Sequence, residues 1–69
     1  MNTTNLATFV AVMQTGSISG AAEKLYITQP AVSKRIKNLE DEFGTALFDT
    51  VGRSIIPTAA AYDLLPFVR

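Results

Sequence analysis

The run YITQPAVSKRIKNLEDEF, from Tyr26 to Phe43, decides how this chain folds. Its spacing predicts one helix. Thr28 is a suitable N-cap, Pro30 falls in the first turn, where a missing N–H leaves no bond unmade, and Gly44 follows the last apolar residue as a C′ position. Val32, Ile36, Leu39 and Phe43 recur at helical spacing and form one apolar stripe for a core. At about 100° per residue, Pro30, Lys34, Lys37 and Asp41 lie opposite that stripe, with Gln29 and Ser33 on a flank.

The charges on this helix run against its dipole. Lys34, Arg35 and Lys37 occupy the first half, and Glu40, Asp41 and Glu42 the last turn. Each misplaced charge costs only about 0.3 kcal/mol, so helix stability tolerates the pattern without selecting it. A leading half that carries Gln, Ser, Lys and Arg on its outer side has the donors needed to read base edges and hold phosphates in a major groove. A solvated amphipathic face is the alternative that this stretch, taken alone, leaves open.

Sixty-nine residues make one small domain with a modest core. The chain has neither Cys nor His, which removes disulfides, thiolate chemistry, the usual zinc ligand sets and the commonest catalytic bases. Glu40, Asp41 and Glu42 sit on successive helix positions that point apart, unlike a convergent acid–base pair. No catalytic residue, metal site or cofactor is therefore expected. No apolar run reaches the ~18 residues of a membrane span and no signal-peptide pattern opens the chain, so a cytoplasmic protein without a membrane partner is expected. The formal net charge is zero and the isoelectric point about 6.1, which argues against a nucleic-acid binder on average composition. The average conceals a pattern: residues 28–38 carry three positive charges and no negative one. A neutral total predicts weak non-specific binding, while the local field at the contact surface stays positive.

Working outward, Thr3 or Thr4 can cap a first helix with Leu6, Phe9, Val10 and Met13 as its core positions, stopped by Thr15-Gly16. A short helix follows, with Ser19 the better N-cap and the small pair Ala21-Ala22 suited to close approach of a neighbour. Tyr26-Ile27 connects it to the Thr28 helix, and that arrangement is a helix-turn-helix. Beyond Gly44, the runs Ala46-Leu47-Phe48 and Ser54-Ile55-Ile56, separated by residues 49–53, predict a small β-hairpin ended by Pro57. Arg53 at its tip can reach a phosphate or a narrow minor groove. Thr58 caps a last helix in which Pro66 tends to kink or end the path, and Tyr62, Leu65, Phe67 and Val68 offer apolar surface to the core or to a second subunit.

The ordered set Ala21-Ala22-Glu23-x-Leu25, Thr28-Gln29-Pro30-Ala31-x-Ser33 with Ile36 and Leu39-Glu40, Gly44-x-x-Leu47-Phe48 and Arg53 resembles the DNA-binding domain of the LysR-type transcriptional regulators, over nearly the whole chain. The resemblance implies a mainly α winged helix-turn-helix, with a three-helix core, a two-stranded β wing and a C-terminal linker helix. Residues 1–57 would be the DNA-binding domain and 58–69 the start of the linker and dimerisation helix, with the effector-binding domain absent from this chain. It further implies sequence-specific binding of double-stranded DNA for bacterial transcription regulation, on a palindromic operator, by a homodimer. A small-molecule effector would act only through the absent domain.

By position, Gln29, Pro30, Ser33 and Lys34 would meet bases. Thr28, Ser17, Arg35 and Lys37 would meet backbone, Arg53 the minor groove, and Tyr62 and Leu65 the partner chain. Lys34 stands where the family commonly has Arg, which exchanges a bidentate fork for a point charge. Asp49-Thr50 stands where a basic residue is common, and Thr58-Ala59-Ala60-Ala61 where Thr-x-Ala-Gly is usual. The Asp49-Thr50 departure and the neutral charge keep a second reading open, a winged-helix module for protein contacts. A steep fall of affinity with salt separates the two, because counterion release accompanies DNA binding alone.

Overall fold

The computed structural model describes residues 2–52 and 54–68. Among these residues four helices and one hairpin follow in the order α1 (Thr3–Thr15), α2 (Ile18–Leu25), α3 (Gln29–Phe43), β1 (Phe48–Val51), β2 (Ser54–Pro57) and α4 (Ala59–Val68). The mainly α winged helix-turn-helix expected from the sequence is the fold observed.

The local chemistry explains where each element begins and ends. Asn2, rather than Thr3 or Thr4, caps α1: its side chain accepts from the Thr4 and Asn5 amides. Both threonines are already inside the helix, where their hydroxyls cannot reach the first free amides. Ser17, not Ser19, caps α2, accepting from the Gly20 amide at 2.8 Å. Its extended backbone, φ −154°, supplies the geometry that an N-cap needs. Thr28 caps α3 by accepting from Ala31, Pro30 sits in the first turn, and Gly44 ends the helix at φ +70°. The turn between α2 and α3 passes through Tyr26 at φ +57°, a left-handed conformation that costs a non-glycine residue about 1 kcal/mol.

The core lies where the three helices meet. Phe9 and Val12 of α1, Ala21 and Ala22 of α2, Val32, Ile36 and Leu39 of α3, and Leu47 before the hairpin are buried together. Alanine at 21 and 22 lets the backbones of α2 and its neighbours approach closely. Phe43 departs from the expected stripe: it is 39% exposed, because it closes the last turn of α3 just as the chain leaves the core. Met13 is half-buried at the edge of the core, not within it. Thr8 is fully buried yet satisfied, since its hydroxyl donates to the Thr4 carbonyl and accepts from Arg35.

The hairpin is tighter than residues 49–53 as a loop would make it. Asp49, Thr50 and Val51 are strand, Ala46 and Leu47 precede it, and the antiparallel register pairs Phe48 with Pro57 and Val51 with Ser54. The pairing therefore runs to Val51 and Ser54 themselves, and Gly52 directly after β1 has φ +61°, the positive φ that a tight turn requires. The Phe48 ring sits 5.7 Å from that of Phe9 and anchors the wing root to α1. Thr58 caps α4 by accepting from Ala61, and its hydroxyl donates to the Ala46 carbonyl. Helix α4 continues through Pro66 to Val68. Proline there removes one hydrogen bond in an exposed turn near the helix end, a loss too local to stop the helix.

Candidate nucleic-acid interface

Helix α3 presents its polar side as a single strip. Gln29, Pro30, Ser33, Lys34 and Lys37 are all exposed, while Val32, Ile36 and Leu39 behind them are buried and fix the rotation of the helix. Burial of these three side chains contributes roughly 1.5–3 kcal/mol each, far more than any reorientation of the polar side could recover. Thr28 is exposed at the leading end, so its hydroxyl is both the cap and part of the surface.

Three elements converge beside that end. An open hollow of about 370 Å³ is bordered by Gly16, Ser17, Ile18 and Ser19 at the start of α2, Gln29 at the start of α3, and Thr50, Ser54 and Ile55 of the hairpin. The leading ends of both helices and the wing thus share one side of the molecule, with hydroxyl and amide groups rather than carboxylates around the hollow. The acidic residues lie at the other end of α3. Lys37 reaches back to Asp41 at 3.3 Å, an exposed i,i+4 pair worth little energy that still draws this ammonium towards the trailing end.

The structure brings Gln29, Pro30, Ser33, Lys34 and Thr28 together and sets two expected residues apart. Arg35 is half-buried and turns to α1, where Nη1 donates to the Thr8 hydroxyl at 3.4 Å, so this donor works inside the domain. Ser17 borders the hollow, but its oxygen is engaged as the α2 cap. Arg53 lies outside the described residues. Tyr62 and Leu65 are far along the chain from this surface, and with Val10, Met13, Gln14 and Pro57 they line a separate groove between α1 and α4. Tyr62 is 59% and Phe67 86% exposed.

Glu40 is the residue whose role sequence reasoning missed. Grouped with Asp41 and Glu42 as acids of the last turn that point apart, it is half-buried, and its Oε2 accepts from the Leu47 amide at 2.7 Å and the Phe48 amide at 3.3 Å. The signal was present: a carboxylate four residues before a helix-ending glycine faces a loop whose amides need acceptors. Lys24 Nζ donating to Gln14 Oε1 is a second tie, between α2 and the end of α1, that no motif announced.

No group of three or more His, Cys, Asp or Glu among the described residues could hold a metal ion, and no helix among them is long and apolar enough to cross a membrane. Residues 3–62 match the model of the bacterial regulatory helix-turn-helix proteins of the lysR family. The chain is 53% identical over 64 residues to the HTH-type transcriptional activator AllS of Klebsiella pneumoniae, covering 93% of this chain and 24% of that protein. It is 50% identical over 66 residues to an HTH-type transcriptional regulator of Azotobacter vinelandii from the ibpB-leuC intergenic region, covering 96% of this chain and 46% of that one. The chain therefore spans less than half the length of these relatives. Among solved structures it is similar to the CbnR_DBD-DNA complex, with a TM-score of 0.94 and 32% identity over 100% of this chain and 79% of that one. The BenM_DBD/benA site 1 DNA complex matches with a TM-score of 0.91 and 35% identity, over 99% and 79% of the two chains.

Proposed function

Because the chain belongs to the LysR family of bacterial regulatory helix-turn-helix proteins, we propose that it is the DNA-binding domain of a longer, cytoplasmic transcription regulator. The leading half of α3 enters the major groove of double-stranded DNA and reads it there. One observation carries this reading: the exposed strip Gln29, Pro30, Ser33, Lys34 and Lys37, free of carboxylates until Asp41, on a fold similar to two domains solved with DNA.

Each residue has a distinct role. Gln29 can pair in bidentate fashion with adenine, Ser33 with several base edges, and Pro30 offers apolar contact to a thymine methyl. Lys34 contributes a point charge at base or phosphate, and Lys37 a phosphate contact once it leaves Asp41. Thr28 meets backbone at the leading end, Ser17 can donate its hydroxyl proton to phosphate while its oxygen caps α2, and Arg53 of the wing enters the minor groove. Arg35 serves mainly to seat α3 on α1.

Residues 58–69 begin a linker helix through which Tyr62 and Leu65 pair two chains. The two recognition helices then lie about 34 Å apart on a palindromic operator. A small-molecule effector acts through a C-terminal domain beyond these residues. The role is regulatory, without catalysis and without a cofactor.

Selection of bound sequences from a random duplex pool, followed by affinity measured across salt, tests the reading. An enriched two-fold motif with a steep salt slope is expected. An absence of enrichment together with flat salt dependence would assign the scaffold to protein contacts instead.

A further inference from the structure

We infer that Glu40 is a positioning residue of the DNA-binding surface, fixing the wing against the recognition helix so that both grooves are engaged at one spacing. The inference rests on the DNA-binding reading above, but the geometry behind it stands in the free domain.

Four backbone amides of residues 44–48 converge on this one residue. The Glu40 carbonyl accepts from Gly44 at 2.8 Å and Thr45 at 3.2 Å, and its carboxylate accepts from Leu47 at 2.7 Å and Phe48 at 3.3 Å. From the other side Thr58 closes the segment: its amide donates to the Leu47 carbonyl at 2.9 Å and its hydroxyl to the Ala46 carbonyl at 2.7 Å. Residues 44–48 are thus held between the last turns of α3 and the first residue before α4. Phe48 is the first residue of β1, so the wing begins at an atom bound to the recognition helix.

The carboxylate suits this task for two reasons. Bonds from an amide to a charged oxygen are roughly twice as strong as neutral ones, and one oxygen with several lone pairs can hold two adjacent amides. At about 100° per residue, moreover, Glu40 falls almost in line with Ser33 along α3. The wing is therefore tied to the row of side chains proposed to read bases. Phe48 is also held by its ring against Phe9 of α1, and Leu47 by its burial in the core with Val32, Ile36 and Leu39, while the Glu40 carboxylate binds the two amides at the wing root directly to α3. A wing contact in the minor groove is a second binding event within one complex, and its contribution falls as the tether between the two contacts loosens.

The test is a double-mutant cycle on the 69-residue chain, using Arg53→Ala to report the wing's contribution to affinity for a selected duplex. Asp at position 40 keeps the charge but is one methylene too short to hold both amides, whereas Gln keeps the reach and loses the charge. With Glu at 40, Arg53→Ala should weaken binding on the order of tenfold, the scale of one charge-assisted contact, and with Gln, whose neutral oxygen holds the same two amides less tightly, by an intermediate factor. With Asp at 40 the same change should cost less than about threefold, because the untethered wing has little left to lose. An equal cost for Arg53→Ala in the Glu40→Asp and wild-type backgrounds overturns the inference. Amide hydrogen exchange on the free domain decides the geometry without DNA. The Leu47 and Phe48 amides should be protected most in the wild type, less in Glu40→Gln and least in Glu40→Asp. Exchange of these two amides at open-loop rates in the wild type overturns the inference as well. If the wild-type domain binds no duplex, the DNA-binding reading fails by itself, while the exchange experiment still decides whether Glu40 holds the wing.

Discussion

Replacing Gly20 by alanine sets two effects of opposite sign against each other. Gly20 lies in the first turn of α2, and alanine in a helix is favoured over glycine by about 0.5–1 kcal/mol. Judged on propensity alone, Gly20→Ala stabilises the domain. The space around the site decides otherwise. A Cβ added there would lie 2.7 Å from Ser17 Oγ and 2.9 Å from Thr15 Cβ, both inside contact distance. Thr15 Cβ belongs to the last turn of α1 and cannot move without its backbone, so α2 must shift away or the Ser17 side chain must rotate. Rotation gives up the cap bond to the Gly20 amide, which costs about 1 kcal/mol. Forcing a methyl into a filled site costs roughly 1–3 kcal/mol. The net expectation is destabilisation by about 2 kcal/mol, a substantial part of the roughly 3–10 kcal/mol that holds a domain of this size. Thermal unfolding followed by circular dichroism should show Tm lowered by roughly 8–16 °C. Because Ser17 Oγ makes the closest contact, Gly20→Ala should cost about 1 kcal/mol less in a Ser17→Ala background. A rise in Tm for Gly20→Ala, or strict additivity with Ser17→Ala, would refute the packing account.

Three further outcomes test the proposed surface. Gln29→Ala and Ser33→Ala should each weaken binding to the selected duplex by about 1–3 kcal/mol and relax base preference at one position, measured by competition with single-base variants; unchanged affinity and preference would remove α3 from the groove. Lys37→Ala should weaken binding about equally across sequences and lower the salt slope by about 1, and Asp41→Ala, which frees Lys37, should strengthen binding in the same uniform manner. Sedimentation of the chain at tens of micromolar should show dimer that Leu65→Asp converts to monomer, with a stable monomer in both cases counting against pairing through α4.

The apolar periodicity and the punctuation of the chain by themselves determined the three-helix core, the boundaries of α3, the presence of a hairpin and the position of α4. These features rest on local chemistry: Thr28 capping, Pro30 in the first turn, and Gly16, Gly44 and Gly52 at positive φ all act within a few residues. The exposed strip on α3 was legible for the same reason, since Val32, Ile36 and Leu39 fix by spacing which side is left to solvent. What only the tertiary structure decided is how residues distant in sequence divide the available donors and acceptors. Arg35 looks like one more basic group beside Lys34, and only the approach of α1, which brings Thr8 to its guanidinium, turns it inward. Glu40 looks like one of three acids, and only the return of the chain after Gly44 places two free amides at its carboxylate. Among Asn2, Thr3 and Thr4, and between Ser17 and Ser19, composition cannot choose a cap, because each can offer an oxygen; the backbone path into the helix chooses. Local rules set the elements, and a hydrogen bond between elements depends on a distance that no local rule contains.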